Sequence, residues 1–203
     1  MSSGRAVENR GAIVAEIGEK LFPRRGVIWG ILGLFVFLFA HPRTSLFIYG
    51  LLFVGCGEAL RIWAVGYIRN YRKAMEKDVE ELTTSGPYAY LRNPLYLANG
   101  IIGTGVVFLS GRIVMVAVFW VVFVVLYGSI VKAEEAFLEQ KFGKSYQEYR
   151  AAVPGFFFRF TPYPGKKQPF SWEVVARKET TTIATLGLVV LLFYLRGFGF
   201  LSF

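Results

Sequence analysis

The sequence predicts an all-α fold, a polytopic membrane helix bundle of about five transmembrane helices. Hydrophobic residues make up 54% of the chain and charged residues only 18%, where a soluble domain carries about 25% charged. Long uncharged stretches alternate with dense mixed-charge segments, the pattern of a chain that crosses a bilayer several times. Lys and Arg also fall unevenly. With the N-terminus in the cytosol, nineteen of the 23 lie on the inside, three (Arg43, Arg112, Arg196) outside, and Arg61 within a span. That bias sets the orientation.

The elements follow in order. Met1 to Arg10 is polar and charged with no apolar core behind it, so it does not read as a cleavable signal peptide. Ile13, Ile17 and Leu21 recur every fourth residue, which predicts an amphipathic helix over 12–22 lying on the membrane. Apolar spans are expected at Gly26–Ala40, Thr44–Ile68, Leu95–Ser110, Ile113–Val131 and Ile183–Phe203. The first and third are short against the roughly 20 residues a spanning helix needs. Arg24, Arg25 and Arg92 flank them and can snorkel outward. His41-Pro42-Arg43 and Gly111-Arg112 are the turns of two hairpins. Arg196 interrupts the last span. Residues 133–142 keep helical spacing, and Gly143 ends that helix. Phe156, Phe157, Phe158 and Phe160 form an aromatic run suited to the headgroup level. At 203 residues the chain reads as one domain.

Composition excludes several chemistries. One cysteine (Cys56) and one histidine (His41) are too few for a zinc site, a Cys-His nucleophile or a His-based triad. No metal is expected. The net charge of +9 is spread between apolar spans rather than along a basic stripe, so no nucleic acid is expected either. The expected partners are the bilayer and a lipophilic small molecule.

Two constellations can carry chemistry. Leu82 to Tyr96 (LTTSGPYAYLRNPLY) is a bent connector: Gly86-Pro87 and Asn93-Pro94 make turns, and Pro94 suits the first turn of the following helix. Lys132-Ala133-Glu134-Glu135 puts paired carboxylates where a helix leaves the membrane. The bland reading is equally plain: Tyr and Arg belong at interfaces, and Glu135 and Glu139 point to water. Geometry links the two stretches. About forty residues separate Pro94 from Glu134, enough for two crossings that return the chain to the side it left. The pocket so formed suits a cation with polar ends, of the S-adenosylmethionine kind. Glu134 can pair with its amino group, Arg92 with its carboxylate, and tyrosine faces with its sulfonium. A third feature is Glu58 and Arg61, three apart within a span, where charges must pair or face a cavity. Either they lock the bundle or Arg61 faces a polar substrate group.

Residues 82–96 and 134–154 (EEAFLEQKFGKSYQEYRAAVP) resemble the integral-membrane methyltransferase group that includes isoprenylcysteine carboxyl methyltransferases and phospholipid N-methyltransferases. The resemblance covers about residues 58–155. It implies transfer of a methyl group from S-adenosylmethionine, with S-adenosylhomocysteine as product, to a membrane-embedded or lipophilic acceptor at the cytosolic face. It implies cofactor contacts at Leu82, Thr83, Tyr88, Asn93, Pro94, Leu95, Tyr96 and Glu134; the reading of the residues themselves adds Arg92, takes Glu134, Arg92 and Tyr96 as catalytic, and sets Arg61 and Glu58 toward the substrate. Asn93 stands where the carboxyl methyltransferases have His, as in the phospholipid branch. Ile130 stands where eukaryotic prenylcysteine enzymes place an Arg. The acceptor, carboxylate or amine, is left open by these departures.

The expected organisation is a cytosolic interfacial segment (1–25), a first transmembrane hairpin (26–68), a methyltransferase-like core (69–159) and a C-terminal extension with the final helix (160–203), in a bacterial inner membrane. Two other classes share the outline. An NADPH-dependent reductase related to sterol reductases would use Lys141, Lys144 or Lys166 and Lys167 for a 2′-phosphate. A non-catalytic relative would use none of these residues.

Overall fold

A computed structural model describes residues 16–18, 20–68 and 81–199. The polar start, Ile13, and the basic residues Arg69, Arg72, Lys73 and Lys77 lie outside the described residues. A 3-10 turn at Phe22–Arg24 leads into α1 (Arg25–Leu38), followed by α2 (Thr44–Val65), a second 3-10 turn at Gly86–Ala89, α3 (Pro94–Leu109), α4 (Met115–Phe142), α5 (Lys144–Ala152) and α6 (Trp172–Gly197). No strand occurs among the described residues.

Local chemistry sets the boundaries. Pro94 occupies the first turn of α3, where its missing N–H costs nothing. Gly143, at φ +52°, ends α4 and turns the chain into α5. The Ser171 hydroxyl accepts from the Val174 N–H at 3.3 Å and caps α6, with Glu173 in the first turn to meet the helix dipole. The last span therefore starts at Trp172 rather than Ile183. The fourth also differs from expectation: Met115 to Phe142 is one continuous helix of 28 residues that carries Glu134 and Glu135 beyond the apolar stretch.

Four helices are long and apolar enough to cross a membrane, and α3 is a shorter apolar helix. The short first span is completed from upstream, because Glu16–Leu38 runs as one apolar helical stretch of 23 residues. Its described residues before Phe22 do not lie apart from the bundle. A Cβ on Gly18 would meet the Ser129 carbonyl oxygen at 2.2 Å, so this segment crosses α4 in close contact.

The α2–α3 pair is the tightest crossing. A Cβ on Gly105 would lie 2.8 Å from the Gly50 carbonyl oxygen, and one on Gly57 would lie 3.0 Å from that of Ala98. Small residues let the two backbones approach, which is how helices pack where lipid competes equally for apolar side chains. Gly105→Val is expected to lower detergent-solubilised thermal stability by about 1–3 kcal/mol or more, because backbone cannot yield. Gly55→Ala, at an exposed position with open space around it, is the matched control and should change little.

Outside, α1, α2, α4 and α6 display large apolar side chains such as Val27, Ile31, Leu52, Val121 and Leu188. At one end of the bundle the His41 N–H donates to the Ser110 carbonyl at 2.8 Å. Arg196 does not break α6. Its guanidinium donates to the Ala40 and Leu38 carbonyls at 3.2 and 2.8 Å, capping the carbonyl end of α1. At the opposite end lie the connector, α5 and the segment between α5 and α6. There the run Phe156–Phe160 is exposed, with Phe157 81% and Phe160 101% accessible.

Candidate active site

The connector is held from two directions. Its second half is zipped to the chain leaving α5: Arg92 N–H donates to the Pro154 carbonyl at 2.9 Å and Asn93 N–H to that of Gly155 at 3.1 Å. The Asn93 side-chain amide donates to the Gly155 carbonyl as well, at 3.2 Å, instead of capping α3. The Tyr149 hydroxyl reaches from α5 to the Tyr88 carbonyl at 2.8 Å. Burial pushes the Tyr149 hydroxyl well above its ordinary pKa, and burial together with Glu135 does the same to Tyr146. Both pack the chamber wall with their protons retained, Tyr149 as a donor, and neither is a base.

The connector's first half is clasped by the strap that precedes α6. Gln168 accepts from the Thr84 N–H at 3.2 Å through its side-chain oxygen and donates to the Leu82 carbonyl at 3.1 Å through its amide nitrogen. Ser85 Oγ donates to the Lys166 carbonyl and accepts from the Gln168 N–H, each at 2.8 Å. Lys166 is paired with Glu81. Gly86, at φ +60°, turns against the Tyr67 ring so closely that a Cβ would lie 2.2 Å from it.

These contacts shape a cavity of about 530 Å³. All nine residues expected at the cofactor line it: Leu82, Thr83, Tyr88, Arg92, Asn93, Pro94, Leu95, Tyr96 and Glu134. The Tyr96 hydroxyl donates to Glu134 Oε2 at 2.6 Å, so the two constellations meet across α3 and α4. Arg92 does not snorkel outward. One of its nitrogens lies 3.2 Å from Glu135 Oε1, and its Nε and Nη1 are buried without a hydrogen-bond partner. Glu135 is correspondingly turned in toward Arg92 rather than to water, whereas Glu139, partly exposed, accepts from Gln147 and Arg150. Two unsatisfied guanidinium nitrogens at the cavity wall fit an anionic group such as a carboxylate.

Arg61 lines the same cavity, and Glu58 does not. The intrahelical pair is present but long, 3.8 Å from Arg61 Nε to Glu58 Oε2. The principal partner is Glu179 of α6, a residue the sequence reading did not single out. Its two carboxylate oxygens accept from Arg61 Nε and Nη2 at 3.1 and 2.9 Å, and Asn99 Oδ1 accepts from Nη1 at 2.5 Å. Gln168 and Asn99 are further lining residues that went unnoticed, and Glu135, singled out as one of the paired carboxylates, lines it too. Only the rule that a charge at membrane depth needs a partner pointed toward Glu179, and it could not say on which helix.

A second, open-sided groove of about 740 Å³ runs between α1, α3, α4 and α6, lined by Trp29, Phe37, Ile102, Phe119, Leu186 and Val189 among others. Arg25, Arg61 and Asn99 line both spaces. A more polar chamber therefore adjoins an apolar groove at those three residues. Among the described residues no group of His, Cys, Asp and Glu could hold a metal ion.

Comparison with known proteins places these features in a family. The family described as Phospholipid methyltransferase matches residues 45–145. The cobalt-zinc-cadmium resistance protein CzcN of Cupriavidus metallidurans is 30% identical over 159 residues, 72% of this chain and 68% of its own. The nickel-cobalt-cadmium resistance protein NccN of Alcaligenes xylosoxydans is 30% identical over 120 residues, 58% of this chain and 52% of its own. The protein-S-isoprenylcysteine O-methyltransferase of Schizosaccharomyces pombe is 33% identical over 122 residues, 58% of this chain and 50% of its own. The chain thus spans about two thirds of the first relative and about half of the other two. No solved structure matches.

Proposed function

We propose, from the premise that this chain belongs to the integral-membrane methyltransferase group, that it moves a methyl group from S-adenosylmethionine to a lipophilic acceptor at the cytosolic end of its bundle. The observation that carries the reading is the junction of two spaces: a polar chamber walled by Tyr96, Glu134 and Arg92, and an apolar groove, sharing Arg25, Arg61 and Asn99. The excess of Lys and Arg at the chamber's end supports the cytosolic assignment.

S-adenosylmethionine supplies an electrophilic methyl carbon on a sulfonium. The chain's own task is alignment and exclusion of water. Arg92 holds the donor's carboxylate with its two unsatisfied nitrogens, and Glu134 holds the ammonium while Tyr96 fixes the orientation of that carboxylate. Tyrosine faces favour the positive sulfur. The groove takes the acceptor's hydrocarbon, each buried methylene contributing about 0.8 kcal/mol. Binding of S-adenosylhomocysteine, followed by calorimetry on the protein in nanodiscs, tests the reading. Arg92→Gln is expected to weaken it by roughly tenfold to a hundredfold, the worth of a charged hydrogen bond. Binding of NADPH in its place would overturn the reading. None of Lys141, Lys144, Lys166 and Lys167, the residues that a 2′-phosphate would want, lines the chamber.

A further inference from the structure

We propose that Arg25 anchors the ionised carboxylate of a long-chain acceptor at the mouth between the chamber and the groove, which makes this a carboxyl rather than an amine methyltransferase. The inference rests on the methyltransferase reading above and deepens it. It begins with which charged groups at the junction are already engaged. Arg61 gives Nε and Nη2 to Glu179 and Nη1 to Asn99, so each of its three nitrogens already donates to a side chain and its charge is paired. Both oxygens of Glu179 are taken by the same arginine. Glu134 accepts from Tyr96. Arg25 differs. It donates Nη1 to the Phe22 carbonyl at 2.7 Å and lays its flat face 3.6 Å from the centre of the Phe22 ring. Those contacts fix the guanidinium plane and leave its remaining N–H groups to the spaces it lines.

A fixed guanidinium edge is complementary to a carboxylate, which it grips through two parallel hydrogen bonds. It repels an ammonium. The groove beyond it is bounded by Trp29, Phe119, Phe123 and Leu186. Tyr127 lines it too; its hydroxyl accepts from Trp29 Nε1 at 3.2 Å and keeps its own proton to donate. The occupant these surfaces fit has a hydrocarbon tail and one anionic end. In the transfer, a carboxylate oxygen forms a C–O bond to the methyl carbon as the C–S bond breaks, and the electron pair of that bond stays on sulfur. The products are an uncharged ester and the thioether S-adenosylhomocysteine, and no proton is released. No general base is needed, in keeping with tyrosines held as donors and carboxylates already bonded. Arg25 lies outside residues 45–145, so the acceptor anchor comes from a helix that the family match does not include.

The test uses [1-13C]palmitate with the full chain in phosphatidylcholine nanodiscs. Wild type and Arg25→Lys should show a carboxyl resonance distinct from the bilayer pool, and Arg25→Gln should lose at least tenfold of its occupancy. Hexadecylamine should not displace it. With tritiated S-adenosylmethionine, label reaching palmitate should be released by mild base as an ester is. Calorimetry with S-adenosylhomocysteine is run in parallel. Binding that persists in Arg25→Gln, at whatever affinity, shows a folded chamber, since Arg25 itself lines it, while failure in wild type would sink the methyltransferase reading by itself. Equal occupancy in Arg25→Gln, or displacement by hexadecylamine at lower concentration than by unlabelled palmitate, would overturn the carboxylate proposal.

Discussion

Glu134→Gln is expected to abolish methyl transfer while leaving the bundle folded. The side chain sits at the exit of α4, where the Tyr96 hydroxyl donates to it at 2.6 Å. A short contact between a hydroxyl and a carboxylate is a charge-assisted bond, worth about 1.5–3 kcal/mol. Gln keeps the shape and loses the charge that would hold an ammonium. Binding of S-adenosylhomocysteine should fall by roughly tenfold to more than a hundredfold on that scale. Tyr96→Phe should fall by less, since the carboxylate stays but is no longer oriented. If the two residues act as a unit, the double variant will be little worse than Glu134→Gln alone. Strict additivity in the calorimetric cycle would mean that they serve separate purposes. Full transfer by Glu134→Gln would remove the carboxylate from the site altogether.

That contact was legible in the sequence because two ordinary rules converge on it. Apolar runs place α3 and α4 as a hairpin, and a hairpin must return Glu134 to the level of Tyr96. The connector's turns were legible for the same reason, since Gly86, Pro87 and Pro94 act locally. What stayed hidden depends on partners distant in sequence. Gln168 clasps Leu82 and Thr84 from across 84 or more positions, and an isolated Gln in a loop carries no periodicity or charge signal. Arg92 looked like an interfacial cation because its neighbours are apolar, yet Glu135 draws it inward. Arg196 looked like a flaw in a span because only the fold shows the carbonyl end of α1 beside it. The start of α6 was missed because Glu173, Arg177, Lys178 and Glu179 lower its hydropathy, and composition cannot tell a solvated turn from one whose carboxylate is paired inside.

Glu179→Ala is expected to be the most damaging single substitution for stability. Glu179 is a charged residue with 1% of its surface exposed, and its carboxylate is the two-pronged partner of Arg61. Truncating one member of a buried pair leaves the other charge uncompensated, at a cost of about 3–5 kcal/mol. In a chain of this length that is a fall of roughly 10 °C in the detergent-solubilised melting temperature. Glu58 stands 3.8 Å from Arg61 Nε and can take up part of the charge, so the lower end of the range is expected. Glu58→Gln in the same background should then expose the full penalty. The double variant Arg61→Met with Glu179→Leu separates stability from chemistry. It should recover much of the melting temperature, because an apolar pair of similar volume avoids the desolvation of two ions. It should not recover transfer, because Arg61 and Asn99 line both the chamber and the groove. A double variant that regains both would show that the pair only fastens α6 to α2. A Glu179→Ala chain as stable as wild type would mean that α6 is held by its apolar face alone.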